Sequence, residues 1–260
     1  MKKMIIFAVM FMATIATADA QARVEKRTVG EGNIDYMVKE LSCDNLSKIV
    51  SNLPVVLRLV EGDEGHIEVS FPMQEHRYIR FGIVNDNTFI LGRDGFQKSP
   101  KKTILSEKTP IYITISASNI AAITNSSDMV LYVDRDSFAD ELSIANAGYG
   151  FFVIGESITA DKSISLFTNG TMTCEVESWN TAALSLTNNG YLYVNGVTSA
   201  SNVKQISTGI DSTTLQVDCG KVEVHTNGEG LITYRGWADD VAVYSNNKAS
   251  VRTSELKVKP

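Results

Sequence analysis

The chain has 260 residues, of which 43% are hydrophobic and 21% are charged, and its formal net charge is −6. No run of lysine or arginine is long enough to bind a phosphate backbone, which excludes nucleic acid as an expected partner. The cysteines Cys43, Cys174 and Cys219 show no CxxC or metal-site spacing, and the histidines lie far apart in the sequence. We therefore expect no metal ion and no cofactor.

Residues 1–20 have the features of a secretory signal peptide. Two lysines precede the apolar run Met4–Ile15, which is too short to span a bilayer. The small-x-small signal Ala18-Asp19-Ala20 predicts cleavage before Gln21. No second hydrophobic span follows, so we expect a mature chain without a transmembrane segment, exported to the periplasm or the outer cell surface.

The N-terminal part of the mature chain predicts strands after a short polar entry. Ala22–Asn33 is polar and predicts a flexible lead-in over residues 21–33. From Lys48 to Ser116, runs rich in β-branched and aromatic residues alternate with turn residues, which predicts a strand-rich part over residues 34–118. The widest polar interruption, Arg93–Lys102, is expected to be an exposed loop. No segment sustains a helical period, so the fold class is all-β.

A seven-residue phrase recurs along the second half of the chain, and it is clearest as LSLTNNG at Leu184–Gly190. A repeat period of about twenty residues indicates a repeat architecture. The phrase begins at Ala121, Leu142, Ile164, Leu184, Val203, Val222 and Val241.

Alternation within each repeat predicts which side chains face inward. The first, third and eleventh positions are apolar in nearly every repeat, and Phe152 is one of these expected inward residues. Gln205 and Thr213 interrupt the pattern, which predicts a shift of register by one residue in the repeat that begins at Val203. The fifth position lies on the same face but is always polar, and such a column beside a turn predicts a ladder of side chains bonded to each other and to the turn backbone. Its members are Asn125, Asn146, Thr168, Asn188, Ser207, Thr226 and Ser245.

Two architectures are compatible with these repeats. Asn-Gly between alternating runs is a strong signal for antiparallel hairpins. A parallel β-solenoid instead places each position against the same position of the next coil, which explains why like residues recur at like positions. We therefore expect a right-handed parallel β-helix, or β-solenoid, of about seven coils over residues 119–260. Together with the strand-rich part it would form one elongated β domain over residues 34–260.

The chain resembles the autotransporter-adhesin head (GIN) domain family. Ile111–Val133, IYITISASNIAAITNSSDMVLYV, resembles the family's succession of strand, Pro-Asn-Leu, strand, small-Gly-Ser-Gly and strand. Ser47–Gly62, SKIVSNLPVVLRLVEG, resembles its N-terminal element, and the resemblance extends over about Gly32–Glu255. It implies an exported β-helical domain of bacterial cell envelopes, with adhesion suggested and no established catalytic residues.

Aromatic residues just past the turns are the expected ligand surface. Tyr149 and Phe151 follow one turn, and Tyr191 and Tyr193 follow another two repeats later. If the coils stack in register, these four side chains flank a pair of threonines on one exposed face. Such a face can stack on sugar rings or contact a protein partner. The alternative is that aromatic residues simply suit strands, or that another segment covers them.

Catalysis is not expected, although β-solenoids include enzymes that cut acidic polysaccharides with clustered carboxylates. The candidate carboxylates are Asp134 with Asp136, Asp140-Glu141 and Asp239-Asp240, and each is also explained as a charged strand end or a turn. We expect a binding protein that recognises a glycan or a host or envelope protein, as a monomer or a homo-oligomer. A polysaccharide-degrading enzyme and a structural envelope protein without a ligand are the alternatives.

Overall fold

The computed structural model describes residues 23–29, 32–93, 105–106, 108–135, 137–138, 140–246 and 249–258. The expected signal peptide, Asp136 and nearly all of the expected loop Arg93–Lys102 lie outside these ranges. The described residues form strands and one 3₁₀ turn, Met73–Glu75. Among them no helix has the length and hydropathy of a membrane span.

The strands of the N-terminal part are β1 (Arg23–Val29), β2 (Gly32–Ser42), β3 (Lys48–Ser51), β4 (Val55–Val60), β5 (His66–Pro72), β6 (Ile79–Val84), β7 (Thr88–Arg93) and β8 (Ile111–Ser116). The strands of the repeats are β9 (Ala122–Asn125), β10 (Met129–Asp134), β11 (Glu141–Asn146), β12 (Phe151–Thr168), β13 (Thr171–Asn188), β14 (Tyr191–Ser199), β15 (Asn202–Ser207), β16 (Ile210–Thr226), β17 (Glu229–Ser245) and β18 (Ala249–Val258).

Two parallel ladders build the molecule. The first ladder joins β8, β4 and β10, the opening segments of β12 and β13, then β14, the opening segments of β16 and β17, and finally β18. The second ladder joins β7, β3, β9 and β11, the closing segments of β12 and β13, then β15 and the closing segments of β16 and β17. The chain thus makes about seven turns of a solenoid. The all-β solenoid predicted from the repeats is confirmed, and hairpins between repeats are excluded.

Antiparallel strands cover the N-terminal end of the stack. β5 pairs with β8, β2 with β5, and β1 with β2, while β6 pairs with β7. The predicted flexible lead-in is therefore wrong for Arg23–Val29. Its charged residues have partners across the sheet, because Arg23 forms a salt bridge with Glu68 (2.6 Å) and the Arg27 guanidinium lies 4.3 Å from the Tyr112 ring centroid. The stack also begins before residue 119, since β3 and β4 pair in parallel with β9 and β10.

The predicted inward positions meet in register through most of the stack. Ile144 pairs with Leu166 and Leu166 with Leu186, and all three side chains are buried. Because each position contacts its equivalent in the next coil, an apolar residue in one coil favours an apolar residue in the neighbours.

The polar column forms the ladder that the sequence predicts. The Asn146 side-chain oxygen accepts a hydrogen bond from the Gly148 N–H (3.0 Å), and its nitrogen donates to the Gly148 and Thr171 carbonyls (both 2.8 Å). Asn188 accepts from the Gly190 N–H in the same way (2.9 Å) and donates to the Ser207 hydroxyl of the next coil (3.4 Å). These side chains satisfy the backbone of the turns while they remain buried.

The turns stack so closely that they exclude side chains. A Cβ atom added to Gly170 would lie 1.7 Å from the Gly148 carbonyl oxygen, and one on Gly190 would lie 2.1 Å from the Gly170 oxygen. Those two oxygens accept hydrogen bonds from the N–H groups of Thr171 (3.0 Å) and Tyr191 (2.8 Å). Glycine is therefore required here by the close approach of successive backbones.

One repeat departs from the predicted phase. Asn146 pairs with Thr168 and Phe151 pairs with Met172, so the chain has one residue more between the paired positions at the turn before β12 than at the turn before β13. Gly150 lies in this turn with φ +68°. As a result Phe151 pairs with Met172 and faces the core, and Val153 rather than Phe152 pairs with Cys174. The inward assignment of Phe152 is wrong, because a single added turn residue exchanges the two faces of the strand that follows.

The register shift predicted for the repeat at Val203 does not occur. Gln205 pairs in register with Leu186 and Val224 and is fully buried. Its side-chain nitrogen donates to Thr213 Oγ1 (3.1 Å), and its oxygen accepts from the Tyr234 hydroxyl (2.7 Å). The interior accommodates these polar side chains because they satisfy one another.

We expect Leu186→Asp to abolish cooperative folding, because it would bury an unpaired charge at a fully buried position. The matched control is Ser185→Asp, which places the same carboxylate on the outward side of the same strand, beside Lys204. Urea unfolding followed by far-UV circular dichroism measures both variants. A native-like, cooperatively unfolding Leu186→Asp variant would contradict the inward assignment.

Candidate functional site

Aromatic side chains collect on the outer surface of the first ladder, which we call the aromatic face. Tyr191 and Tyr193 point outward on β14, and Leu192 and Val194 alternate with them inward. Phe152, Thr173 and Tyr193 follow one another across three coils in one outward column. Tyr132 and Ile154 form part of the next outward column. The regular spacing of the strands places these side chains about 4.8 Å apart along the stack.

Three of the four aromatic residues predicted for a ligand surface are exposed or partly exposed. Tyr149 is 75% exposed in the turn before β12, Tyr191 is 39% exposed, and Tyr193 is half-buried. Phe151 is fully buried, so its place in the predicted surface is wrong. Phe152, which is 39% exposed, takes the outward position because of the added turn residue described above.

Of the predicted arrangement, in which four aromatic residues flank two threonines, the side formed by Tyr191 and Tyr193 is present, whereas Phe151 is buried and pairs with Met172. Thr171 pairs with Tyr191, and Thr173 pairs with Tyr193. The two tyrosines therefore lie two residues apart on one strand and directly beside the threonines of the preceding coil.

A groove of about 840 Å³ opens beside the aromatic face. It follows the corner at the end of the first ladder and takes residues from four strands: Val133, Asp134 and Arg135 at the end of β10, Ile154, Gly155 and Glu156 of β12, Glu175, Val176 and Glu177 of β13, and Tyr193, Asn195 and Gly196 of β14.

A glycine, which has no side chain, helps to keep this groove open. The pairing between β13 and β14 is interrupted between Glu175 and Ser178, where the chain turns the corner. Gly196 lies at this interruption with φ +145°, and a Cβ atom there would approach the Val176 carbonyl oxygen to 2.4 Å. The corner is therefore restricted to glycine, and the groove stays open at that point.

Carboxylates dominate the charge of the groove. It contains Asp134, Glu156, Glu175 and Glu177, against the single guanidinium of Arg135. Asp134 is paired with Arg58 (3.0 Å), a residue whose guanidinium also lies 5.3 Å from the Tyr132 ring centroid. None of the described histidine, cysteine, aspartate and glutamate side chains form a group of three or more that could hold a metal ion. The groove thus presents many hydrogen-bond acceptors and one aromatic ring, Tyr193.

The other carboxylates singled out in the sequence lie elsewhere. Asp140 pairs with Lys162, and this hydrogen bond raises the pKa of the lysine. Asp239 and Asp240 lie within β17, so the predicted turn is wrong there. Asp134 and Tyr193 line the same groove, whereas Tyr191 lies on the adjoining aromatic face.

His225 lies in a surface ion-pair cluster on the second ladder. Its ring stacks on Tyr244 (4.5 Å between centroids), and its Nε2 lies 2.8 Å from Glu223. Glu223 also accepts from Lys204 (2.9 Å) and Lys221 (3.0 Å), and these hydrogen bonds lower its pKa to about 2. The histidine is outward, as predicted, and it is a member of a charged cluster on the surface.

Sequence reasoning missed the groove because its carboxylates come from different repeats. Glu175 pairs in register with Ile154 and Asn195, and Glu156 and Glu177 lie between the pairs Gly155–Val176 and Ser157–Ser178. These carboxylates therefore meet through the stacking of coils, not through adjacency in the sequence. The corner could have been predicted from Gly155 and Gly196, which lie there in two coils, because a glycine inside a strand pattern indicates a bulge or a bend.

These features define a parallel β-solenoid with an open, carboxylate-lined groove on its outer surface. Residues 157–260 match the family model described as "putative auto-transporter adhesin, head GIN domain". The predicted resemblance to this family is confirmed over these residues, which lie in the repeats that form most of the stack. No curated protein matches the chain.

Solved structures share the fold. A crystal structure of a "putative adhesin" from Bacteroides fragilis is 15% identical, covers 84% of this chain and 96% of its own, and superposes with a TM-score of 0.65. A second "putative adhesin", from Parabacteroides merdae, is 14% identical, covers 86% of this chain and 95% of its own, and has a TM-score of 0.53. At these identities the likeness shows the fold alone.

The corrected phase of β12 predicts opposite outcomes for two neighbouring residues. Phe151→Ala should lower the free energy of unfolding by about 3–5 kcal/mol, because it empties a packed core position. Phe152→Ala should change it by about 1 kcal/mol or less, because that ring is partly in solvent. Urea titrations of the two variants measure both changes in the free energy of unfolding. A larger loss for Phe152→Ala than for Phe151→Ala would contradict the inward assignment of Phe151.

Proposed function

We propose that this chain is an exported, adhesin-like binding protein of the cell envelope whose ligand is a glycan without acidic groups, held in the groove and on the adjoining aromatic face. The observation that carries the proposal is the combination of the Tyr193 ring with the carboxylates of Glu156, Glu175 and Glu177 in one open groove. The match to an adhesin head-domain family supports a binding role, and the groove supports the choice of ligand.

The aromatic residues suit a sugar ring. The apolar face of a pyranose packs on an aromatic ring, and Tyr193 presents a rigid ring whose position is set by the buried residues on either side of it. Tyr191 and Phe152 extend the same surface into adjacent positions of the first ladder. A ligand longer than one sugar would therefore meet a second aromatic ring after leaving the groove.

The charge of the groove selects among glycans. Ionised carboxylates accept hydrogen bonds but cannot donate them, so they pair with sugar hydroxyl or amine groups. Uronic or sialic acids would bring a further negative charge to a site where Glu156, Glu175 and Glu177 outnumber the guanidinium of Arg135 and Asp134 is paired with Arg58, and like charges repel. Neutral and amine-bearing glycans are thus favoured over acidic polysaccharides.

We expect the purified chain to bind neutral glycans on an array and Tyr193→Ala to weaken that binding about tenfold, which corresponds to about 1.4 kcal/mol of lost stacking and contact. The matched control is Tyr244→Ala, which removes an exposed tyrosine from the second ladder and should leave binding unchanged. Binding that survives Tyr193→Ala together with Tyr191→Ala would remove the proposed surface. Binding to acidic glycans alone would overturn the ligand class, and no glycan binding at all would favour a protein ligand or a structural role.

A polysaccharide-degrading enzyme is the second candidate, because paired carboxylates are also the groups that hydrolyse glycosidic bonds. Asp134 is ion-paired with Arg58, and the nearest other carboxylates in the groove belong to β12 and β13. We expect no new reducing ends when the protein is incubated with neutral and acidic polysaccharides. Product formation that disappears in Glu175→Gln or Asp134→Asn would establish the enzyme instead.

Export is proposed from the N-terminal sequence together with the family match. We expect intact-mass analysis of material from the periplasm or the cell surface to show a chain that begins at Gln21, since cleavage follows the small-x-small signal. Recovery of the full-length chain in the cytosol would contradict both the cleavage site and the location.

A further inference from the structure

Asp211 is a carboxyl group inside the solenoid. It lies on β16, where it pairs with Leu192 of β14 on one side and Gly230 of β17 on the other, and it is only 2% exposed. An ionised carboxylate at such a position costs free energy unless it is paired with a cation or fully hydrogen-bonded.

The hydrogen bonds around Asp211 satisfy one of its two oxygens. Oδ1 accepts from the side-chain nitrogens of Asn188 (3.1 Å) and Gln205 (3.0 Å), and both donors are uncharged. Oδ2 is buried and receives no hydrogen bond. Protonation would remove the charge of the carboxyl and turn one of its oxygens into a donor. The Ser207 side chain also hydrogen-bonds to the carboxyl, and this bond favours the charged form.

The surroundings supply no positive charge in the described part of the chain. Asn188 approaches from β13, Leu192 from β14, Gln205 and Ser207 from β15, and Gly230 from β17. The ionisable side chains nearby are Tyr234, which is fully buried and bonds to Gln205, and Cys219, which adjoins Tyr234. Burial raises the pKa of Tyr234, so its phenol supplies no charge to the cluster.

We infer that Asp211 is a proton-dependent lock on the coils formed by β13–β17: the closed stack holds its carboxyl in the neutral form, and loss of that proton opens these coils locally. The inference rests on the buried cluster and does not depend on the proposed glycan.

The sign of the effect follows from the direction of the pKa shift. Burial raises the pKa of Asp211 above its ordinary value of 3.8, although hydrogen bonds from Ser207, Asn188 and Gln205 oppose the shift. At pH values between the ordinary pKa and the raised pKa, the folded chain therefore holds a proton that the unfolded chain has lost. Stability from this group is full below the ordinary pKa and falls as the pH rises toward the raised pKa of the folded state.

The lock lies directly behind the aromatic face. Asp211 pairs with Leu192, the residue between Tyr191 and Tyr193, and its neighbours Ile210 and Ser212 pair with those two tyrosines. Opening at Asp211 would therefore release the backbone bonds that position both tyrosines. This arrangement would connect the pH of the surroundings to the order of the exposed surface.

The test compares the unfolding equilibrium constants of wild type and Asp211→Asn across pH. Asn has the shape of a neutral carboxyl and cannot titrate. We expect the ratio of the wild-type to the variant constant to rise by up to about tenfold per pH unit above the ordinary pKa of Asp211, until the raised pKa is passed. The matched control is Asp161→Asn, which alters an exposed aspartate and should keep the wild-type pH dependence. A ratio that stays constant across this range would overturn the inference.

Hydrogen exchange of the wild-type chain provides a readout that does not require the variant to fold. After correction for the chemical exchange rate, amides in residues 184–234 should lose protection as the pH rises, while those in residues 141–168 keep it. Equal protection of the two regions at every pH would exclude a local lock. The experiment uses no ligand, so its outcome and that of the glycan array are independent.

Discussion

The close approach of successive turns is the constraint on which the rest of the structure depends. The carbonyl oxygens of Gly148, Gly170 and Gly190 each lie where a side chain of the next glycine would have to be. Those same oxygens accept the backbone bonds that start the first ladder of each following coil, including the bond from Tyr191. Because the turn fixes where a coil begins, it also fixes which side chains of that coil face outward. The scaffold and the aromatic face thus have one structural origin.

Polar groups inside the stack are of two kinds with different physical consequences. The column that contains Asn146 and Asn188 satisfies the turn backbone without a charge, so it stabilises the fold at any pH at which the chain is folded. Asp211 lies in the same interior with an oxygen that receives no hydrogen bond. The first kind is a general requirement of buried turns, whereas the second is a local feature of a single repeat.

The repeat pattern predicted the fold well because a parallel stack repeats its contacts. The columns through Leu186 and Asn188 follow from counting alone, since each position meets its equivalent. The repeat count assigned Phe151 to the outward face, which is wrong. One added turn residue exchanges the inward and outward positions of the strand, and both positions here are phenylalanine. The partners of Gln205 could not be predicted either, since Tyr234 reaches it from a later coil.

The candidate site was predicted only in part, because counting along one repeat does not show which side chains of neighbouring coils meet. Tyr191 and Tyr193 follow a regular turn, so their outward direction was available from the sequence. Glu156 and Glu175 belong to different coils and to positions outside the recurring phrase, so counting within one repeat does not show that they line one groove. The strands of residues 23–42 were missed in part because their stabilising partners, such as Glu68 and Tyr112, are distant in the sequence.

The groove has a consequence for how such a surface can diversify. Each of four strands contributes only a few of its lining residues, and the coils that supply them are held together by backbone bonds and stacked glycines rather than by the lining side chains. Duplication or loss of one whole coil would add or remove a single row of about 4.8 Å and leave the register of every other row intact. An insertion of one residue instead exchanges the two faces of the next strand, as Gly150 does before β12. Lineages of this architecture can therefore change the length of the binding surface by whole coils and its chemistry by outward substitutions, independently of one another.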